Sequence, residues 1–231
     1  MTDDTTHFLD RQINYSYDEV ARIHETGLDV RSNHIYLFGH PQAYSEEGLE
    51  PGVEYLMASR FITNLNILMR KSSSPILIHM NTCGGDETHG YAMYNSIRSC
   101  PNHVTILNYT SARSMSSLIF LAADKRVMFP NSTYMFHGGT TGFDGTTKQF
   151  LTEAEEAQKS MDQMIDVYTD AMKEQGKMKR SSRAKIREWL EDRMDKKEEV
   201  YLDAKEAVQY GFAHEIFGEG TYDWEKLYKS I

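Results

Sequence analysis

Five short apolar runs alternate with helix-length segments through the first two thirds of the chain, and that alternation limits the folds open to it. The runs are HIYLFG (34–39), PILIHMN (75–81), HVTILNY (103–109), RVMFP (126–130) and TYMFH (133–137). Each has the length of a strand and is bounded by Gly, Pro, Asn or charged residues. Helical stretches are predicted around 55–70, 87–99 and 114–123. The order implies βαβ crossovers, which are right-handed and bury their strands on both faces. With 231 residues, 40% of them hydrophobic, the chain can bury a full core and reads as one domain.

The last third changes character. From Thr152, the residues Ala154, Met161, Met164, Ile165, Tyr168 and Met172 recur near the helical period, with charged residues between them. A long amphipathic helix is predicted over about 152–176. Thr152 and Glu155 would form its capping box, and Gly176 its left-handed stop. A second helix is predicted around 182–194. Asp203 and Glu206 form a further capping box for a short helix ended by Gly211, and AHEIFG (213–218) reads as a last strand. Residues 1–30 read as an amino-terminal extension, 31–220 as the main domain and 221–231 as an appended tail.

The net charge of −9 and the lack of a clustered basic face argue against binding nucleic acid or anionic membranes. The first thirty residues lack a cationic start followed by an apolar run, and no stretch approaches the roughly 20 apolar residues of a membrane span. A soluble, cytoplasmic protein is expected. Cys83 and Cys100 have no metal-ligand spacing and read as reduced thiols. None of the nine histidines is spaced as HExxH, so no metal or cofactor is expected.

Chemistry concentrates at YTSARSMSSLIFLAADK (109–125), where a strand gives way to an apolar helix. Ser114 stands near the first helical turn, where unpaired amides and the positive end of the dipole would favour an oxyanion. The Met115 amide is the natural first donor. Read locally, a serine there is first of all a helix cap, since Ser is a preferred N-cap. The glycine pair in TCGGDETHG (82–90) permits close backbone approach and a second donor, or makes a simple tight turn. His137 closes an apolar strand and precedes GGTTG, a segment suited to the rim of a cleft.

Taken in order, these elements resemble the Clp protease proteolytic-subunit family. The MNTCGG turn (80–85), ARSMSSLIFLAADK (112–125), PNSTYMFH (130–137) and AKEAVQYGFAHEI (204–216) match four of its motifs in sequence. The resemblance covers roughly 31–220. It implies an α/β fold, the ClpP/crotonase-like spiral of ββα units, with the long helix as a protruding handle. It also implies a serine endopeptidase with Ser114 as nucleophile, His137 as base, and the Gly85 and Met115 amides as oxyanion donors. The third triad position falls on Glu199 in KKEEVYLDAKEA (196–207), with Asp195, Glu198 and Asp203 as competitors. The implied partners are unfolded polypeptide substrates, further copies forming heptameric rings stacked in pairs, and a Clp-type unfoldase ATPase.

The chain departs from the family pattern where TCGG replaces SPGG, where Arg113 replaces a small residue, and where Ser116 stands for glycine. Three other readings stay open: a catalytically silent subunit of a mixed ring, a crotonase-fold acyl-CoA enzyme, and a serine–lysine signal-peptide peptidase relative in which Lys125 would serve.

Overall fold

The computed structural model describes residues 14–38, 52–220 and 222–225. Residues 1–13 of the extension, Gly39 of the first predicted strand, and 221 and 226–231 of the tail lie outside the described residues. Within the extension, helix α1 (Tyr17–Thr26) starts at a Ser16–Glu19 capping box and stops at Gly27, whose φ of 68° is left-handed. Strand β1 (Leu28–Asp29) then turns back antiparallel onto β2 (His34–Leu37).

Three crossovers follow. Helix α2 (Tyr55–Lys71) leads to β3 (Ile76–Thr82), α3 (Glu87–Arg98) to β4 (Val104–Arg113), and α4 (Met115–Leu121) to β5 (Lys125–Met128). Each of these strands lies parallel to the one before it. The continuous apolar character of β3 has a direct cause: six of its seven residues are buried, as expected for a strand covered on both faces. Strand β6 (Thr133–His137) returns to β4 rather than extending the sheet beside β5.

The long helix α5 (Thr147–Glu174) has two unlike halves. Ile165, Tyr168, Thr169, Ala171 and Met172 are its buried residues, Met161 and Met164 pack half-buried against the core, and residues 147–156 are exposed throughout, Phe150 and Leu151 among them. Its predicted start at Thr152 is corrected to Thr147: the capping box is formed by Thr146 and Gln149, and the Thr152 hydroxyl donates back to the Lys148 carbonyl at 3.2 Å. Both pairs fit the capping pattern, but TKQFL contains no helix breaker, so the helix runs on to the outer box. Its end moves to Glu174, with Gln175 as an extended cap.

Helix α6 (Arg183–Lys197) leads into β7 (Glu199–Asp203), which pairs antiparallel with β6. Sequence reading missed this strand because only Val200 and Leu202 are apolar and buried in it. Helix α7 (Ala204–Tyr210) has the predicted Asp203–Glu206 box and Gly211 stop. The last predicted strand shrinks to β8 (Glu215–Ile216), because the Phe212 and Ala213 amides remain bonded to the Ala207 carbonyl at the helix end. The tail packs Trp224 beside Phe129 and Phe217 on the second sheet face.

That face also buries His34 and His79, whose Nδ1 and Nε2 atoms lie 3.0 Å apart, with the Tyr109 hydroxyl 3.0 Å from His79 Nδ1. Burial pushes His34 down from 6.5 to about 4, and burial with the neighbouring His34 pushes His79 down to about 3. Both are therefore neutral in the fold but protonate near 6.5 when unfolded. The unfolded chain binds more protons below that pH, so their contribution to stability is complete above about 6.5 and is lost as the pH falls towards 4. Urea midpoints measured between pH 7 and pH 4.5 should fall steeply for the native chain. In His79→Gln, which keeps hydrogen-bonding groups but does not titrate, the slope should be visibly flatter.

Candidate active site

Strand β4 pairs with β5 over Thr105–Asn108 and with β6 over Ser111–Arg113. At the division, the buried Asn108 donates from its side chain to the Thr133 carbonyl at 3.2 Å, while its own carbonyl accepts from Phe129. The second pairing delivers the end of β4 alongside the end of β6. The Ser114 amide donates to the Met135 carbonyl at 3.0 Å. Ser114 then turns sharply into α4, at φ 51° and ψ −129°. A non-glycine residue held there stores about 1–3 kcal/mol of backbone strain.

The Ser114 side chain makes no helix-capping hydrogen bond. Its Oγ lies instead 2.7 Å from His137 Nε2. The two groups are half-buried, and the hydroxyl proton has a base within transfer distance.

The glycine turn closes on this corner from β3. Gly84 and Gly85 have φ of 102° and 147°, in the region that side chains disfavour. Val53 pins the turn: its amide donates to the Gly84 carbonyl at 2.6 Å, and its carbonyl accepts from Asp86 at 2.8 Å. A Cβ on Gly84 would come within 2.6 Å of Ser114 Cβ and 3.1 Å of the Met115 amide nitrogen. The absent side chain is what lets the turn lie against Ser114–Met115. Among the described residues, the Gly85 and Met115 amides donate no hydrogen bond to the protein. Met115 is itself seated against Gly90 of α3, where a Cβ would collide with its side chain.

Glu199 sits directly across from His137 in the β6–β7 register, so their side chains leave the ladder on one face. Its carboxylate accepts from the Tyr201 hydroxyl at 2.9 Å and makes no hydrogen bond to the imidazole. Of the competing acids, Asp203 caps α7 by accepting from Glu206 at 2.8 Å, and Asp195 and Glu198 belong to α6 and its end rather than to the strand facing His137. Arg113 turns away from the Ser114 hydroxyl, towards the Thr133 hydroxyl and the face of Tyr201. Lys125 is paired with Glu215 at 2.6 Å.

A cavity of about 340 Å³ opens beyond His137 between α5 and α6, with Gly138, Gly139, Met161, Ile165 and Met194 among its walls. Sequence reading overlooked Val53, which carries no motif. It also passed over Ser117 and took Tyr168 for part of an apolar stripe, although both hydroxyls are buried close to Ser114. The arrangement can generate an alkoxide-like oxygen at Ser114 and stabilise negative charge between two free amides.

A family model described as Clp protease matches residues 48–220. The ATP-dependent Clp protease proteolytic subunit of Deinococcus radiodurans is 28% identical over 205 residues, covering 85% of this chain and 91% of the relative. Subunit 2 of the Pseudomonas aeruginosa enzyme is 27% identical, covering 71% and 77%. Among solved structures, a point mutant of ClpP1 from Listeria monocytogenes superposes with a TM-score of 0.63 at 20% identity, covering 86% of this chain and 96% of its own. The fold is thus the ClpP-type α/β spiral.

Gly84→Ala should push the Ser114–Met115 peptide out of place. The rate at which a fluorophosphonate modifies Ser114 is expected to drop at least about tenfold, the scale of a modest misplacement, with far-ultraviolet circular dichroism retained.

Proposed function

The chain belongs to the Clp protease family, and we propose that it is a catalytically active serine endopeptidase subunit that cleaves unfolded polypeptides by acyl transfer. The 2.7 Å approach of Ser114 Oγ to His137 Nε2 carries this reading. His137 removes the hydroxyl proton as Ser114 attacks the scissile carbonyl, and the Gly85 and Met115 amides receive the developing oxyanion. The imidazolium returns the proton to the leaving amine, and water then releases the acyl-enzyme. Glu199 is the acid best placed by register to hold the imidazole, after its carboxylate swings from Tyr201.

The projecting half of α5, with Phe150 and Leu151 exposed, supports self-association of the kind the family implies: heptameric rings stacked in pairs around a chamber. A Clp-type unfoldase ATPase would feed that chamber, since this chain carries no phosphate-loop motif. Residues 31–220 would form the peptidase domain, with 1–30 as an axial or removable extension. No described helix is long and apolar enough to cross a membrane. The salt bridge of Lys125 to Glu215 removes support from a serine–lysine dyad, and the serines that open α4 remove it from an acyl-CoA enzyme.

One observation favours a second reading, a silent subunit of a mixed ring: the Glu199 carboxylate is engaged by Tyr201 instead of His137. Labelling with a serine-reactive fluorophosphonate, with the modified peptide mapped and particle mass measured on the same sample, separates the two. An active subunit should be modified at Ser114, and Ser114→Ala should lose peptidase activity by about 10³-fold or more. Glu199→Gln should retain labelling but slow it about tenfold or more, as the imidazole loses its orienting charge. An unlabelled Ser114 in an assembled particle would support the silent subunit.

A further inference from the structure

We propose that Ser117 and Tyr168 form a positioning pair that fixes the nucleophile's peptide: a hydroxyl chain running from α5 to the backbone carbonyl of Ser114. The inference rests on the reading of Ser114 as nucleophile.

Donor counting sets the direction of the chain. Ser117 Oγ lies 2.6 Å from the Ser114 carbonyl oxygen, which can only accept, so the one hydroxyl proton of Ser117 is committed there. Tyr168 OH lies 2.7 Å from Ser117 Oγ and must therefore be the donor in that contact. The order is Tyr168 O–H to Ser117 Oγ, then Ser117 O–H to the Ser114 carbonyl. Both residues have no measurable exposure, so water cannot take over either role. Hydrogen bonds in a dry site polarise one another along such a chain. Burial also holds the Tyr168 phenol well above its ordinary pKa, keeping it a donor.

A serine bonding back to the carbonyl three residues earlier is common in helices and on its own says little. Two features here are not local. The carbonyl belongs to the one strained residue of the corner, at φ 51°, and it also accepts from the Ser117 amide at 2.9 Å. The second hydroxyl comes from 51 residues away, on the buried half of the projecting helix. With the Ser114 amide held by Met135, both ends of the nucleophile's backbone are tied, and the tie on the carbonyl side runs to α5.

The test uses the full chain in its native assembly. Tyr168→Phe removes one oxygen, and its rates of modification by a fluorophosphonate and of turnover of a fluorogenic peptide should fall about five- to tenfold, the scale of one net hydrogen bond. KM should stay within about twofold, since substrate binding is untouched. Ser117→Ala should cost more, and the double variant should match Ser117→Ala alone, because Tyr168 acts only through Ser117. Tyr134→Phe is the control: it also loses a buried phenol hydroxyl, but one that donates at 3.3 Å to the Ser117 carbonyl, off the chain. It should lower thermal stability comparably and leave the modification rate near native.

Equal slowing in Tyr134→Phe and Tyr168→Phe, or native rates in Tyr168→Phe, would overturn the pairing. So would multiplicative effects in the double variant. If Ser117→Ala does not fold, the two phenylalanine variants decide by themselves. Failure of the native chain to label at Ser114 would sink the peptidase reading and this one together, whereas native labelling with an unaffected Tyr168→Phe would sink only this one.

Discussion

The corner where Ser114 meets His137 depends on one strand serving two neighbours. The first half of β4 is parallel to β5 and its second half is parallel to β6, so the strand leaves one ladder and joins another within ten residues. Without the second pairing, Ser114 would still end a strand and start a helix, but its amide would have no Met135 carbonyl and its hydroxyl no imidazole. Asn108 is the residue that makes the division possible. Fully buried, it bonds to backbone on both sides where the ladders part. An apolar residue there would take that donor from the Thr133 carbonyl.

Strain and close approach follow from that placement. A residue at positive φ is held only where its surroundings over-determine it. Ser114 has Met135 on its amide, Ser117 on its carbonyl and Gly84 pressed against its Cβ. Three separate elements thus converge on one peptide. The Gly85 and Met115 amides, which donate no hydrogen bond among the described residues, flank the same point. Gly85 is exposed and Met115 buried, where an unsatisfied donor is uncommon, and two such amides beside a hydroxyl in contact with an imidazole suit an oxygen that gains negative charge.

Much of this was legible in the sequence because it is written in short-range signals. The apolar runs located β2 to β6, and the Asp203–Glu206 box located α7, since strand burial and capping each need particular residues at fixed spacing. Ser114, Met115, Gly85 and His137 were reachable because they lie at element ends that the pattern marks. What escaped was set by pairing across distance. Strand β7 has only two buried apolar residues and is defined by its partner β6. Val53 acts through its backbone, which no side-chain pattern records. The start of α5 was misjudged because two capping boxes compete and only the chain between them, lacking a breaker, chooses the outer one.

Helix α5 draws the two scales of the molecule together. Its outer half exposes apolar side chains, and its inner half sends Tyr168 to Ser117, whose hydroxyl donates to the Ser114 carbonyl. The C-terminal end is tied as well: Glu174 accepts from the buried Arg126 at 2.8 Å, and the same arginine bonds the Phe212 and Ala123 carbonyls. A buried guanidinium without its carboxylate would be an uncompensated charge, so this anchor resists sliding of the helix. A continuous hydrogen-bonded helix fixed at one end would transmit a tilt of its free end to whatever it touches between. Here that intermediate contact is the hydroxyl chain to Ser114, so the exposed projecting half and the backbone of Ser114 share one rigid element.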